Sequence, residues 1–361
     1  IEGIQSNGIL KERVNLTIIG NKTLLRDLNA NDIEVVFDVL NKDGEWISSI
    51  TKNEIRSTNP EVNISQGINK VLETNILIKL TKLVTEKIPI TITKPIGEAP
   101  QGYRYVDIWP HQLYITVSGS EGLIHKLKSQ GINLTFNLND IAKSQLDDLR
   151  SATVETQRDV VSFFVPSHWK QISLPLLSGA PIEINDPDAK FLRIDFVRDE
   201  LLKMESPIPI ELYFPPSKIN GVSPQKISIA PNQLIENRNG LKIIATPLYV
   251  KGVSSFFLEL MKDMIQIVII VSPKKDESCM NWSIQFINHK FLEDRYVTLL
   301  TTDVTNGELA DLHPQAREEY LRNRFRSYMS RFQLFTSETE IFNLCPTLHG
   351  NSITLTEKDG T

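Results

Sequence analysis

ITVSGSEGLIHKLKSQGINLTFNLND, Ile115 to Asp140, decides the fold: a strand runs into Gly119, a short leucine-rich segment follows, and an alternating strand starts at Ile132. Ninety-nine positions upstream, LTIIGNKTLLRDLNANDIEVVFDVLN (Leu16 to Asn41) superposes on it without a gap. Thr17/Thr116, Gly20/Gly119, Leu24/Leu123, Leu28/Leu127, Ile33/Ile132 and Phe37/Phe136 are then identical. A more diluted third copy, LYVKGVSSFFLELMKDMIQIVIIVS (Leu248 to Ser272), keeps Gly252, Leu260 and Ile265 in register. A repeated module multiplies a surface, whereas an enzyme concentrates one unique set of polar residues, so the pattern points to a scaffold or recognition protein.

Each copy has its own internal logic. Ile33, Val35, Phe37 and Val39 alternate with Glu34, Val36 and Asp38, and Ile132, Leu134, Phe136 and Leu138 alternate with Asn133, Thr135 and Asn137. Period two predicts strands with one buried and one wet face. The third strand, Ile265 to Val271, is apolar on both faces and is expected to be covered on both sides. Leu24, Leu25 and Leu28, like Leu123, Ile124 and Leu127, have the spacing of a two-turn helix laid on the sheet. Asn21 and Ser120 stand where N-caps belong. Gly20, Gly119 and Gly252 read as structural corners that need a positive φ or a close backbone approach; a lone glycine lacks the spacing of a phosphate loop. Pro89 and Pro209, in the opening strands of modules two and three, predict a sheet edge or a first strand position.

At 361 residues the chain exceeds one ordinary core, and 40% apolar residues suffice for several. A net charge of -5 argues against a surface built to coat nucleic acid. The longest apolar run, Met264 to Val271, is far short of the ~18 residues that span a membrane. Cys279 and Cys345 lack metal spacing and leave one disulfide or two free thiols open. The Asn-x-Ser/Thr triplets at Asn15, Asn21, Asn63, Asn133 and Asn281 read as chance in an Asn- and Thr-rich chain. The six histidines show no HExxH spacing, there is no GxSxG or Walker loop, and Asp186 and Asp188 open no calcium ligand series. No catalytic, cofactor-binding or metal-binding residues are therefore expected.

Module three is about thirteen residues longer than module two between its proline and its glycine, and the excess is expected in Ser217 to Leu241 as an inserted binding loop. HPQAREEYLRNRFRSYMSRFQLF, His313 to Phe335, predicts the one longer helix. It is capped by Asp311, with Pro314 in its first turn and Leu321, Phe325, Tyr328 and Phe332 in a buried stripe. Arg317, Arg322, Arg324, Arg326 and Arg331 line the other faces as a solvated basic surface, and the first four are candidate partner-binding residues.

The I-P-I strand, Gly102, Tyr103, Ile108 and Pro110, the strand ending in Gly119 and the L-x-x-L turn together resemble the YbbR-like repeat, over most of Ile1 to about Asn306. The resemblance implies small, mainly β domains behind an N-terminal membrane helix, exposed outside the cytoplasm, with no catalytic residues to carry over. It further implies a regulator of a membrane-bound diadenylate cyclase, acting on cyclic-di-AMP level. The expected fold is β-rich α+β: module one at 1–87, module two at 88–205, module three at 206–306 and a helical segment with a tail at 307–361. Module one lacks the front strand of the others and residue 1 is Ile, so a segment with the anchor is expected upstream. The alternative is an envelope structural or adhesive repeat protein that binds glycan or another protein.

Overall fold

The computed structural model describes residues 4–6, 14–38, 42, 44–59, 67–72, 74–152, 159–175, 177, 180–216, 223–272, 279–302 and 311–358. Asn63, Val39, the first six residues of the expected module-three loop and the expected border at 306/307 lie outside them. The described chain is mainly β with short helices, a β-rich α+β protein. Strands β1 (Ile4–Ser6) and β2 (Ile18–Gly20) precede α1 (Lys22–Asp27), which is followed by β3 (Ile33–Val35). Asn21 caps α1, its side-chain oxygen accepting from the Thr23 amide at 3.1 Å. Next come β4 (Gly44–Ile50), β5 (Ile55–Ser57), β6 (Ile68–Val71) and β7 (Thr74–Ile92).

The middle of the chain holds β8 (Tyr103–Trp109), β9 (Gln112–Ser120), α2 (Glu121–Gln130) and β10 (Ile132–Leu134). After these come α3 (Lys143–Ala152), β11 (Val160–Phe164), β12 (Gln171–Ile172), β13 (Ile182–Glu183) and β14 (Arg193–Arg198). The last part begins with β15 (Leu202–Lys203), β16 (Ile210–Tyr213), β17 (Ser228–Ile229), β18 (Ile235–Arg238) and β19 (Leu241–Ile244). The third strand–helix–strand run is β20 (Tyr249–Val250), α4 (Ser255–Met261) and β21 (Ile265–Ile270). It continues into β22 (Trp282–Phe286), α5 (His289–Thr302), α6 (Pro314–Arg331), β23 (Leu334–Phe335) and the hairpin β24 (Leu344–His349) and β25 (Ser352–Glu357). None of the described helices is long and apolar enough to cross a membrane.

Packing divides the chain into two units, the first made of residues 1–91, 112–134 and 170–187 and the second of the rest. Repetition and packing part company in the second copy: β9, α2 and β10 fall in the first unit, while β8 falls in the second. In the first unit β7 is the spine, paired antiparallel with β4 from Thr74 to Leu80 and with β9 from Leu83 to Thr91. Ile50, Ile55, Ile68 and Val71 form a small core around which Leu24, Ile33 and Phe37 are only partly buried. Asn185 and Asp186 lie against β9, accepting from the amides of Thr116 and Tyr114, each at 2.8 Å. The Asp186 carboxylate thus serves a strand amide.

In the second unit β8, β14 and β11 form an antiparallel sheet, β16 and β21 pair parallel, and β17 pairs parallel with β25. One large core joins these sheets to α4, α5 and α6. The buried stripe of α6 is as expected, with Leu321, Phe325, Tyr328 and Phe332 all buried. Cys279 and Cys345 are disulfide-bonded, with Cα atoms 4.7 Å apart.

Several expectations need correction. The alternating strands stop early: β10 ends at Leu134, and Leu138–Asp140 is a turn of 3-10 helix because Asn137 Oδ1 accepts from the Asn139 amide at 3.1 Å. Pro89 sits inside the paired stretch of β7 opposite Tyr114, not at an end. The N-cap of α6 is His313, with Pro314 as its first residue, so Asp311 is not the cap. A second long helix, α5, lies before α6; its β-branched end (Val297, Thr298, Thr301, Thr302) hid it from periodicity. The tail after α6 is not merely a helical segment, since β24 and β25 put Leu344, Ile353 and Leu355 into the core. The described part of the expected loop is structural too: β17 and β18 bury Ile229 and Ile235.

Candidate functional site

The three repeat glycines are corners for three different reasons. A Cβ on Gly20 would strike the carbonyl oxygen of Gly67, which also accepts from the Asn21 amide at 2.8 Å. On Gly119 a Cβ would lie 2.6 Å from Leu177 Cδ2. Gly252 has φ 74, which L side chains rarely adopt, and a Cβ there would lie 3.0 Å from Arg104 Cδ. The chain's own atoms already occupy the space each glycine leaves.

The arginine helix is less solvated than its composition suggests. Arg322 bonds Asp294 at 2.7 Å and Glu318 at 2.8 Å, and the bond to Glu318 leads in raising its pKa. Arg326 reaches Glu293 Oε1 at 2.8 Å, and Arg317 Nη2 donates to the Leu312 carbonyl at 3.2 Å. Arg322 and Arg326 therefore converge on acids of α5. Arg324 departs from the expected basic face, being 6% exposed beneath α6. The helix turn that displays Arg322 and Arg326 points position 324 at the sheet.

Arg324 belongs to a polar layer between α6 and the sheet of β8, β14 and β11. Strand register puts Arg193 opposite Trp109 and Phe164, and Asp195 opposite Asp107 and Ser162, all on one face. Tyr320 donates to Asp195 Oδ2 at 2.5 Å, Ser162 donates to Asp195 Oδ1 at 2.9 Å, and Arg324 Nη1 donates to Tyr320 at 3.2 Å. The Arg193 guanidinium lies 4.0 Å from the Tyr320 ring centroid and 5.6 Å from that of Trp109. Such a desolvated cation–π stack is worth about 2 kcal/mol and offsets part of the cost of burying the charge.

Burial raises the Tyr320 phenol well above its ordinary value. It also raises Asp107; the Asp195 carboxylate adds to the shift, while His111, 3.7 Å away, opposes it. Paired carboxylates beside a guanidinium and a phenol could move protons if a substrate reached them. Arg193 is 0% exposed, and Asp195 and Tyr320 are each 1% exposed, so the layer clamps α6 to the sheet. Sequence reasoning missed it because RIDFVR alternates like a strand with a wet polar face.

A separate cleft of about 920 Å³ opens in the second unit between β22 and the segment 333–343. Trp282, Ile284, Leu334 and Phe342 give it an apolar floor. Its rim carries Thr246, Gln333, Thr336, Thr339, Glu340, Ile341, Asn343, Glu357 and Lys358. Trp282 meets Phe342 edge-on with centroids 6.0 Å apart, which holds the indole at the floor. Among the described residues no cluster of His, Cys, Asp and Glu is arranged to hold a metal ion. No protein-family description, no curated protein and no solved structure matches this chain.

Proposed function

We propose that the chain is a non-catalytic recognition protein, working on the extracytoplasmic side of a membrane and modulating a membrane-bound diadenylate cyclase, and so cyclic-di-AMP level. The observation that carries the compartment is the Cys279–Cys345 disulfide, since such bonds persist where the surroundings are oxidising. Recognition is supported by the element order strand, helix, strand, which recurs as β2-α1-β3, β9-α2-β10 and β20-α4-β21. The cyclase as partner rests on the resemblance to the YbbR-like repeat alone.

The test is co-purification of the full-length protein with the cyclase from detergent-solubilised membranes, together with cyclic-di-AMP measured in a deletion strain. The expected outcome is cyclase in the pull-down and an altered cyclic-di-AMP level. Absence of the cyclase with an unchanged nucleotide level would reject the proposal. The second reading, an envelope adhesive or structural protein, draws on the open cleft beside β22.

A further inference from the structure

We propose that the cleft beside β22 binds a neutral oligosaccharide. Five rim side chains, Thr246, Gln333, Thr339, Asn343 and Glu357, make no hydrogen bond among the described residues. Two are planar amides and one is a carboxylate, the groups that pair bidentately with the vicinal hydroxyls of a sugar. Beneath them the half-buried Trp282 offers an aromatic surface to the C–H face of a pyranose ring. Glu340 is already oriented, its Oε2 accepting from the Ser337 hydroxyl at 3.3 Å.

The alternatives fit less well. An extended peptide would need free backbone groups on both walls; β22 is an edge strand with one side open, but segment 333–343 spends backbone groups of its own internally. The Phe342 amide donates to Leu334 at 2.8 Å, the Thr336 amide to Glu340 at 3.0 Å and the Lys358 amide to Asn343 at 3.0 Å. Recognition on that wall must therefore come from side chains, and a peptide pairing with the open edge of β22 is the competitor that the test has to reject. Two carboxylates against one ammonium on the rim disfavour an anionic ligand. The volume, about 920 Å³, is near the upper end of ligand sites, and suits several linked rings better than one.

This site does not depend on the cyclase assignment, and its failure would leave the membrane pull-down untouched. The test is isothermal titration of the chain with cellohexaose, xylohexaose, maltohexaose and chitohexaose. At least one is expected to bind. The double variant Gln333→Ala/Asn343→Ala should weaken that binding about tenfold, the loss expected for two hydrogen bonds, at an unchanged melting temperature. Thr339→Trp, at an exposed position on the rim, should obstruct part of the cleft and weaken binding. No heat with any of the four at millimolar sugar, or binding that survives both variants, would overturn the proposal. So would peptides binding at the cleft in place of the sugars.

Discussion

Leu25 in α1 and Phe257 in α4 stand at the same position of the repeat, and their surroundings could hardly differ more. Leu25 is half-buried, and it is its neighbour Leu24 that packs against the small core of Ile50, Ile55, Ile68 and Val71. Phe257 is 0% exposed and meets Tyr328 at 5.0 Å, Phe325 at 5.4 Å, and Tyr296 and Phe332 each at 6.4 Å. Three of these rings come from α6 or its C-cap and one from α5, elements added after the third copy. The repeat thus sets the corner, and what is appended to it sets the depth of the core.

The strongest way to break that comparison is to remove what the third copy gained. Deleting residues 223–241 takes away β17 and β18, unpairs β25 from its parallel partner and exposes the core beside Ile229 and Ile235. Each lost isoleucine is worth about 2–5 kcal/mol, enough together to abolish a cooperative transition in the second unit. A melting curve left intact would return the segment to the surface.

Alanine at the shared helix position should sharpen the comparison into a series. Phe257→Ala is expected to cost about 3–5 kcal/mol and Ile124→Ala, buried at 1%, about 2–4 kcal/mol. Leu25→Ala at its half-buried site should cost about 1 kcal/mol. Chemical denaturation of the three variants would expose any inversion of that order, which would mean that the core around α1 is tighter than the one around α4.

The disulfide spans 66 residues and ties the start of β22 to β24, next to the Met280 amide bonded to the Pro346 carbonyl at 2.7 Å. Cys279→Ser/Cys345→Ser should destabilise by about 2–4 kcal/mol, mainly by freeing the unfolded chain. Reductant should then shift the melting of the wild type but not of the double variant. If reductant shifts neither, the cross-link contributes nothing to the deeper core.

How far the sequence carried these features depended on the sequence separation of the partners. The glycine corners and leucine spacings are local, so the repeat displays them directly. The buried face of RIDFVR is decided by Tyr320, 125 residues beyond Asp195, and no local pattern separates an inward charged face from a wet one. Likewise β17 finds its partner in β25, with Asn232 reaching the Leu355 carbonyl across 123 residues. Its short polar surroundings therefore read as a loop. Cleft residues such as Gln333 and Asn343 left no signal at all, because single amides become a site only when folding brings them around Trp282.

The smallest expected effect probes the clamp that fixes α6, and its sign follows from Asp107. Burial raises this carboxyl above its ordinary 3.8, with Asp195 adding to the shift and His111 and Arg331 opposing it. The folded chain therefore binds the proton more tightly than the unfolded one. This contribution is fully present in acid and is lost as pH climbs from 3.8 through the raised folded value. Asp107→Asn keeps the oxygen that accepts from the Ile108 amide at 2.9 Å and removes the charge. In acid the variant and the wild type should unfold alike; at neutral pH, where the wild type has lost this contribution, the variant should be the more stable. A variant less stable at neutral pH would show that the contacts of Asp107 with its neighbours His111 and Arg331 outweigh the burial of the carboxylate.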